Sequence, residues 1–287
     1  MPPATAGVVA GSLGVLGFSF SLPATKLAVA DLDPWFVAFG RAAVAGLLAL
    51  LVLRHSRASW PTAAQWRSLV LVALGVVVGF PLGTSLALEH RPAGQSAVVI
   101  AILPAATAVM AVLRAGERPG RAFWVASGAG LVTALVFAAT RGAGGVAPAD
   151  ALLLVAVLAC ALGYAEGGVL ARHLGGARTI CWALVLSLPL TAAVTVATVQ
   201  QGGAAGGSAV PWLGFAYVSL VSMFLGFFAW YAGLARGGVA RIGQLQLAQP
   251  VLTLGWAALV LGEAVGPAEA VTAAVILACV VATQRAR

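Results

Sequence analysis

A glutamate stands inside a run otherwise suited to hydrocarbon, "LGYAEGGVLARH" (Leu162–His173), with a tyrosine two residues before it and two glycines after it. A carboxylate there has two readings. It is a hydrogen-bonded strut between close helices, or it meets a substrate amine or a proton in a hydrated cavity. Gly163, Gly167 and Gly168 suit the strut, because small surfaces let another helix approach. Its depth suits the cavity. At 1.5 Å per residue Glu166 lies about 24 Å from the outer face of a bilayer and about 8 Å from the inner one. Arg41 is the other intramembrane ion, about 10 Å below the outer surface. It either bonds carbonyls of neighbouring helices or recognises an anion or carboxylate. The two depths differ by about 14 Å, so a direct Arg41–Glu166 salt bridge is not expected.

A second group of candidates shares one helical stripe. Ile242, Gln246, Gln249, Thr253 and Trp256 recur at the spacing of a single face, offering two amides, a hydroxyl and an indole. An earlier stripe, Ser96, Ile100, Leu103, Thr107 and Met110, is mostly apolar. A cavity between them would hydrogen-bond on one wall and be greasy on the other, as an orientation-specific small-molecule site requires. Glutamines can also act as packing glue across helices. Phe18 and Tyr164 lie deep beside glycines and either wall the same cavity or pack the core. Trp35, Trp182 and Trp230 fall near helix ends and read as interfacial belt residues. Pro104 and Pro250 each remove a backbone donor in mid-helix, which makes them candidate hinges or fixed kinks.

Catalytic chemistry has no comparable set. His55, His90 and His173 sit at helix ends or in loops, and Asp31, Asp33 and Asp150 lie at the outer boundary. Neither a serine–histidine arrangement nor a mid-helix aspartate pair is present. Cys160, Cys181 and Cys279 lie singly in three helices, without disulfide or metal-ligand spacing. No enzyme, cofactor or metal site is expected.

The elements that position these residues follow from composition. Of 287 residues 61% are hydrophobic and only 8% charged, with mean hydropathy +1.03, whereas a soluble domain carries about 25% charge. Apolar runs long enough to cross a core of about 30 Å appear at 6–29, 34–53, 66–88, 94–113, 121–139, 150–171, 178–199, 211–234, 239–261 and 265–283. Long uninterrupted runs exclude a membrane barrel and specify helices. The first run lacks a basic leader and is read as a helix, not a signal peptide. The net charge of +8 is distributed among loops, which argues against a nucleic-acid partner. Twelve arginines, from Arg54 and Arg57 to Arg285 and Arg287, fall on one side, against Lys26, Arg91 and Arg141 on the other. The positive-inside rule then puts both termini in the cytoplasm.

One offset, 146 residues, joins the two ends of the chain. It carries Leu16-Gly17-Phe18 onto Leu162-Gly163-Tyr164, Lys26 onto Arg172, Trp66 onto Trp212, Pro104 onto Pro250, Thr107 onto Thr253 and Gly116-Glu117 onto Gly262-Glu263. The halves are residues 1–141 and 147–287, each with five helices. Five is odd, so the second half enters the membrane with opposite polarity. The predicted fold is an all-α integral membrane protein of ten transmembrane helices in two inverted five-helix repeats, with a substrate site near the midplane. Lys26 and Arg172 are explained by snorkelling, and Glu117 and Glu263 by loop structure.

The runs "PWFVAFGRAAVAGLLAL", "ILPAATAVMAVLRAGERPGRAFWVASGAG" and "LAQPVLTLGWAALVLGEAVGP" make the chain resemble the EamA branch of the drug/metabolite transporter superfamily over nearly its whole length. The resemblance implies a multipass carrier in the cytoplasmic membrane, with a cavity lined by the first four helices of each half. It also implies secondary transport of small metabolites such as amino acids, by alternating access and in the export direction. An arginine at the place of Arg41 belongs to the same resemblance. The expected partners are a small-molecule substrate and the bilayer, with protons or the substrate's own gradient as driving force. A flippase of lipid or lipid-linked sugar is the alternative within this architecture.

Overall fold

The computed structural model describes residues 3–90, 99–142, 148–205, 208–252, 255–256 and 266–286. Every regular element among them is helical. Among the described residues six stretches are long and apolar enough to cross a membrane: Ala4–Ala28, Pro34–His55, Ala63–Glu89, Ala151–Leu174, Gly176–Gln200 and Ala209–Gly237. Leu103–Ala115, Arg121–Gly142 and Pro267–Arg285 are further helices. Of the candidate residues, Ser96, Thr253 and Glu263 lie outside the described residues.

Several of these stretches are irregular in the middle. The first is two helices, α1 (Pro3–Ser19) and α2 (Ser21–Ala28), parted at Phe20. The third runs as α4 (Ala63–Val72), a π-helical segment (Ala73–Gly79) and α5 (Phe80–His90). Ala209–Gly237 repeats that pattern as α10 (Ala209–Tyr217), a π segment (Val218–Leu225) and α11 (Gly226–Gly237). Such segments are rare and concentrate at functional sites. By contrast α3 (Pro34–His55), α8 (Pro148–Leu174) and α9 (Gly176–Gln200) are continuous. The start of α3 is well specified: Pro34 opens it, and the Asp33 carboxylate accepts from Trp35 N at 2.8 Å and Phe36 N at 3.0 Å.

The prolines do something other than bend a helix. Residues 101–102 form a turn and α6 (Leu103–Ala115) begins after it, so Pro104 occupies a first turn where its missing N–H has no bond to lose. The region of Pro250 is similar. After α12 (Val239–Gly243) the chain tightens into a 3₁₀ segment (Gln244–Ala248), and Pro250 lies in the helical residues 249–252 that follow. Each proline thus marks a break between helical segments, which corrects the expectation of two mid-helix kinks. Two further helices, α7 (Arg121–Gly142) and α13 (Pro267–Arg285), pack against each other.

Glycines set the seams. A Cβ on Gly7 would lie 2.7 Å from Gly237 N and one on Gly233 2.6 Å from Gly11 N, so α1 and α11 meet backbone to backbone. The α8 seam is alike: Gly163 faces Val76 of the first π segment at 2.6 Å, Gly167 faces the Tyr231 ring, and Gly75 faces the Ala159 carbonyl. The glycines around Glu166 therefore do admit close neighbours. Trp230 is buried where α1 meets α11 and Trp182 is buried against Trp60 and Trp66, rather than exposed as belt residues, and only Trp35 of the three is exposed. Large apolar rings gain more from packing between helices than position along the span alone suggests.

Candidate functional site

The end of the molecule that carries both termini is tied by two ion pairs of opposite sense. On α8, Glu166 receives Arg114 Nε at 2.5 Å, from the last turn of α6, and Ser68 Oγ at 2.8 Å, from α4. Two turns further along α8, Arg172 Nη2 donates to Glu117 Oε1 at 3.0 Å, just past the end of α6. Each helix end thus gives one cation and one anion, and the seam carries no net charge from these pairs. Glu117 does more, accepting from Val239 N at 2.7 Å and Ala240 N at 2.8 Å. It thereby satisfies the first amides of α12, which otherwise have no helical partner. Gly238, at φ +87°, makes the turn that presents them.

These contacts agree with Glu117 as a structural loop carboxylate and revise two other expectations. Arg172 is paired rather than merely snorkelling. Lys26 donates to the Leu88 carbonyl at 2.6 Å. Arg114 gave no signal in the sequence because it falls just outside the predicted run 94–113, and only the three-dimensional structure brings it to Glu166.

Deeper inside, Tyr164 joins several of the candidate residues. Gln246 Nε2 reaches its hydroxyl at 3.4 Å. Its ring lies 5.3 Å from Trp230 and 6.2 Å from Phe227, and Phe18 packs on the same pair at 5.9 and 4.8 Å. Phe18 and Tyr164, equivalent under the 146-residue offset, thus share two neighbours. Arg41, on α3, donates through Nη2 to Ser222 Oγ of the second π segment at 3.2 Å. Two buried polar atoms beside this tyrosine, Gln246 Oε1 and Trp230 Nε1, have no hydrogen-bond partner among the described residues, and neither has Arg41 Nε. Buried polar atoms are seldom left so.

The other candidates are placed less closely. Gln249 is half-buried. Trp256 Nε1 donates to Ser19 Oγ at 2.8 Å, with its ring 6.0 Å from Phe20 at the break in the first stretch. Glu166 is engaged by α4 and α6 through both oxygens and makes no bond to Gln246, Tyr164 or Arg41. Sequence reasoning missed Gln244, whose amide bonds the Pro104 carbonyl at 2.9 Å and accepts from Ser127 at the same distance. This is the packing role weighed for the stripe glutamines, and Gln244 lies two residues from Gln246. Single serines inside apolar runs likewise gave no signal, yet Ser19, Ser21, Ser68 and Ser222 all join polar contacts. A pocket of about 200 Å³ between Glu117, Arg118, Phe123, Gly238 and Arg241 lies at the termini end, apart from this tyrosine.

The model of the EamA-like transporter family matches residues 5–139 and, a second time, residues 147–283. The chain belongs to the EamA-like transporter family. Within that family its sequence is similar to an uncharacterized transporter, YdeK, of Bacillus subtilis (strain 168), at 47% identity over 286 residues and 99% of both chains. A solved crystal structure matches 97% of this EamA-like chain and 98% of its own, with TM-score 0.77 and 20% identity, a likeness of fold. The protein is therefore a membrane transporter and not an enzyme, and its apolar helices are those of an integral, multi-pass membrane protein.

Proposed function

We propose that this EamA-like transporter is a secondary carrier of small metabolites, amino acids and related compounds among them, working outward across the cytoplasmic membrane by alternating access. The observation that carries the reading is the set of unpartnered polar atoms around Tyr164, enclosed by Phe18, Phe227 and Trp230. A site with free donors and acceptors between aromatic walls suits a small polar solute with an apolar part. By sequence spacing Gln249, Thr253 and Trp256 share the stripe of Gln246, and the Trp256 indole meets Ser19 and Phe20. Ten spans with cytoplasmic termini are the arrangement that the twelve-to-three distribution of basic residues favours.

The two halves, 1–141 and 147–287, are read as inverted repeats. The π segments support this: they end at Gly79 and Leu225, positions 146 apart, the offset found in the sequence. The breaks at 101–102 and Gln244–Ala248 support it likewise, since the same offset brings them into register. In this reading the paired charges between α6 and α8 are the closed gate at the termini end, and the prolines stand where the broken helices flex.

Reconstitution tests the function. Proteoliposomes loaded with labelled amino acids, amines, sugars or organic acids should show saturable, protein-dependent flux of at least one class under an imposed pH or substrate gradient. Flux of a fluorescent lipid, with none of any small solute, would favour the flippase.

Glu166 serves here as a strut of that gate rather than as a substrate ligand, because both its oxygens already have protein partners. Glu166→Gln keeps an acceptor for Ser68 and loses the charge facing Arg114. Since the Arg114 side chain is 50% exposed and can return to water, the cost is about 1 kcal/mol. The expected result is a fall of about 3 °C in thermal midpoint in detergent, with unchanged substrate affinity and unchanged pH dependence of transport. A variant of native thermal stability that has lost its pH dependence would give Glu166 a coupling role instead.

A further inference from the structure

The donors and acceptors left open at Arg41, Gln246 and Trp230 specify the kind of solute that would fill them. Arg41 is the decisive one. It is 5% exposed in the interior of α3, and among the described residues its single hydrogen bond is Nη2 to Ser222 Oγ at 3.2 Å. Among those residues no carboxylate pairs with it, no backbone carbonyl accepts from it, and its Nε is without a partner. Ser222 already accepts from Ser21 at 2.7 Å. A guanidinium has five N–H donors, so most of its capacity is unused. Isolated buried charge is costly, and a cation retained under such conditions marks a site where an anion arrives.

Three further observations separate this arginine from a fold element. Its equivalent under the 146-residue offset is Ser187, whose hydroxyl bonds only the Ala183 carbonyl of its own helix. The second half thus carries no cation at the matching place. The two serines beside it stand on irregular backbone, Ser21 next to the break at Phe20 and Ser222 inside the second π segment. Such backbone is where carriers place ligands. Finally, the open atoms beside Tyr164 are of two kinds: Trp230 Nε1 can only donate, and Gln246 Oε1 can only accept.

The geometry points to Arg41 as the anion subsite of the carrier, holding the carboxylate of a small solute whose own N–H or O–H donor meets Gln246 and whose apolar part lies against Phe18 and Phe227. This rests on the carrier reading and narrows it. Carboxylates bearing a nearby donor fit; amines without a carboxylate and neutral sugars do not. Arg–carboxylate pairs take two parallel hydrogen bonds, a geometry that lysine cannot reproduce.

The test uses the full-length protein and two series of small molecules that differ only at the carboxylate. In detergent, the ligand-free Arg41→Gln variant should unfold at the same temperature as wild type or higher, because a buried unpaired charge has been removed. A fall of several degrees would make Arg41 a structural residue and overturn the assignment. In parallel, wild type is titrated with amino acids and hydroxy acids and with their primary amides. The acids should raise the thermal midpoint and the amides should not. Arg41→Gln should weaken the response to acids about 30-fold or more, with Arg41→Lys only partly restoring it. Equal responses of wild type to acid and amide would also overturn it. In proteoliposomes, flux of amines or sugars with none of the acids refutes the anion subsite and leaves the carrier standing. Acid-specific stabilisation without flux of any solute does the reverse, refuting transport and keeping Arg41 as a binding residue.

Discussion

Gly233→Leu is expected to remove most of the folded protein. Its new Cβ would lie 2.6 Å from the Gly11 amide nitrogen and 2.8 Å from the Gly11 Cα, with the Gly7 carbonyl at 3.1 Å. Those neighbours are backbone atoms of α1 and cannot rotate away. Leucine is the better helix former by about 0.8 kcal/mol, so local propensity acts in the opposite direction. Separating the helices far enough to admit the side chain costs about 3 kcal/mol or more by analogy with overpacked cores, a large part of the roughly 5–15 kcal/mol that stabilises a typical protein. Gly128→Leu is the matched control, since a Cβ there meets nothing within 4 Å. The yield of monodisperse protein and its thermal midpoint in detergent should collapse for the first variant and hold for the second. Equal behaviour would show that α1 and α11 do not pack as described.

Gln246→Leu should have the largest effect on binding within the stripe. The glutamine is 4% exposed, its amide reaches the Tyr164 hydroxyl only at 3.4 Å, and its carbonyl oxygen has no partner among the described residues. Without a partner this oxygen is a liability, because an unsatisfied buried acceptor costs about 1–3 kcal/mol. Leucine removes it. Thermal stability without substrate should therefore stay level or rise, while affinity for a transported solute with an N–H or O–H donor falls about tenfold, the equivalent of one hydrogen bond. Leu103→Ala should do the opposite, destabilising the buried start of α6 by about 2–5 kcal/mol with less effect on affinity. Loss of stability without loss of binding in Gln246→Leu would make this residue packing glue, as Gln244 is.

The helical fold was legible because lipid forces backbone bonds inward and leaves long apolar runs as its signature. Six of the ten predicted runs correspond to stretches long and apolar enough to cross a membrane among the described residues, and the run 121–139 falls within α7. The interruptions were not legible. Pro104 suggested a bend, but whether a helix bends or restarts depends on the neighbours that take up freed polar groups, here Gln244 on the Pro104 carbonyl. Tyr164, Phe18 and Gln246 could be named as candidates from the repeat and the stripe. That they meet around Trp230 follows from glycine contacts between helices, which one-dimensional spacing does not encode. Glu166 drew attention by its depth alone. Its partners Arg114 and Ser68 stand 52 and 98 residues away, and neither is unusual in its own segment.

The gate between α6 and α8 gives the account its most direct test. With Cys160, Cys181 and Cys279 replaced, cysteines at Arg114 and Glu166 can be joined by a short cleavable thiol cross-linker in proteoliposomes, and solute flux measured before linkage, after it and after cleavage. If these helix ends part in every cycle, linkage should stop flux and cleavage should restore it, with solute still bound by the linked protein. Undiminished flux through fully linked protein would show that the seam stays shut throughout transport and would contradict the alternating-access mechanism proposed here.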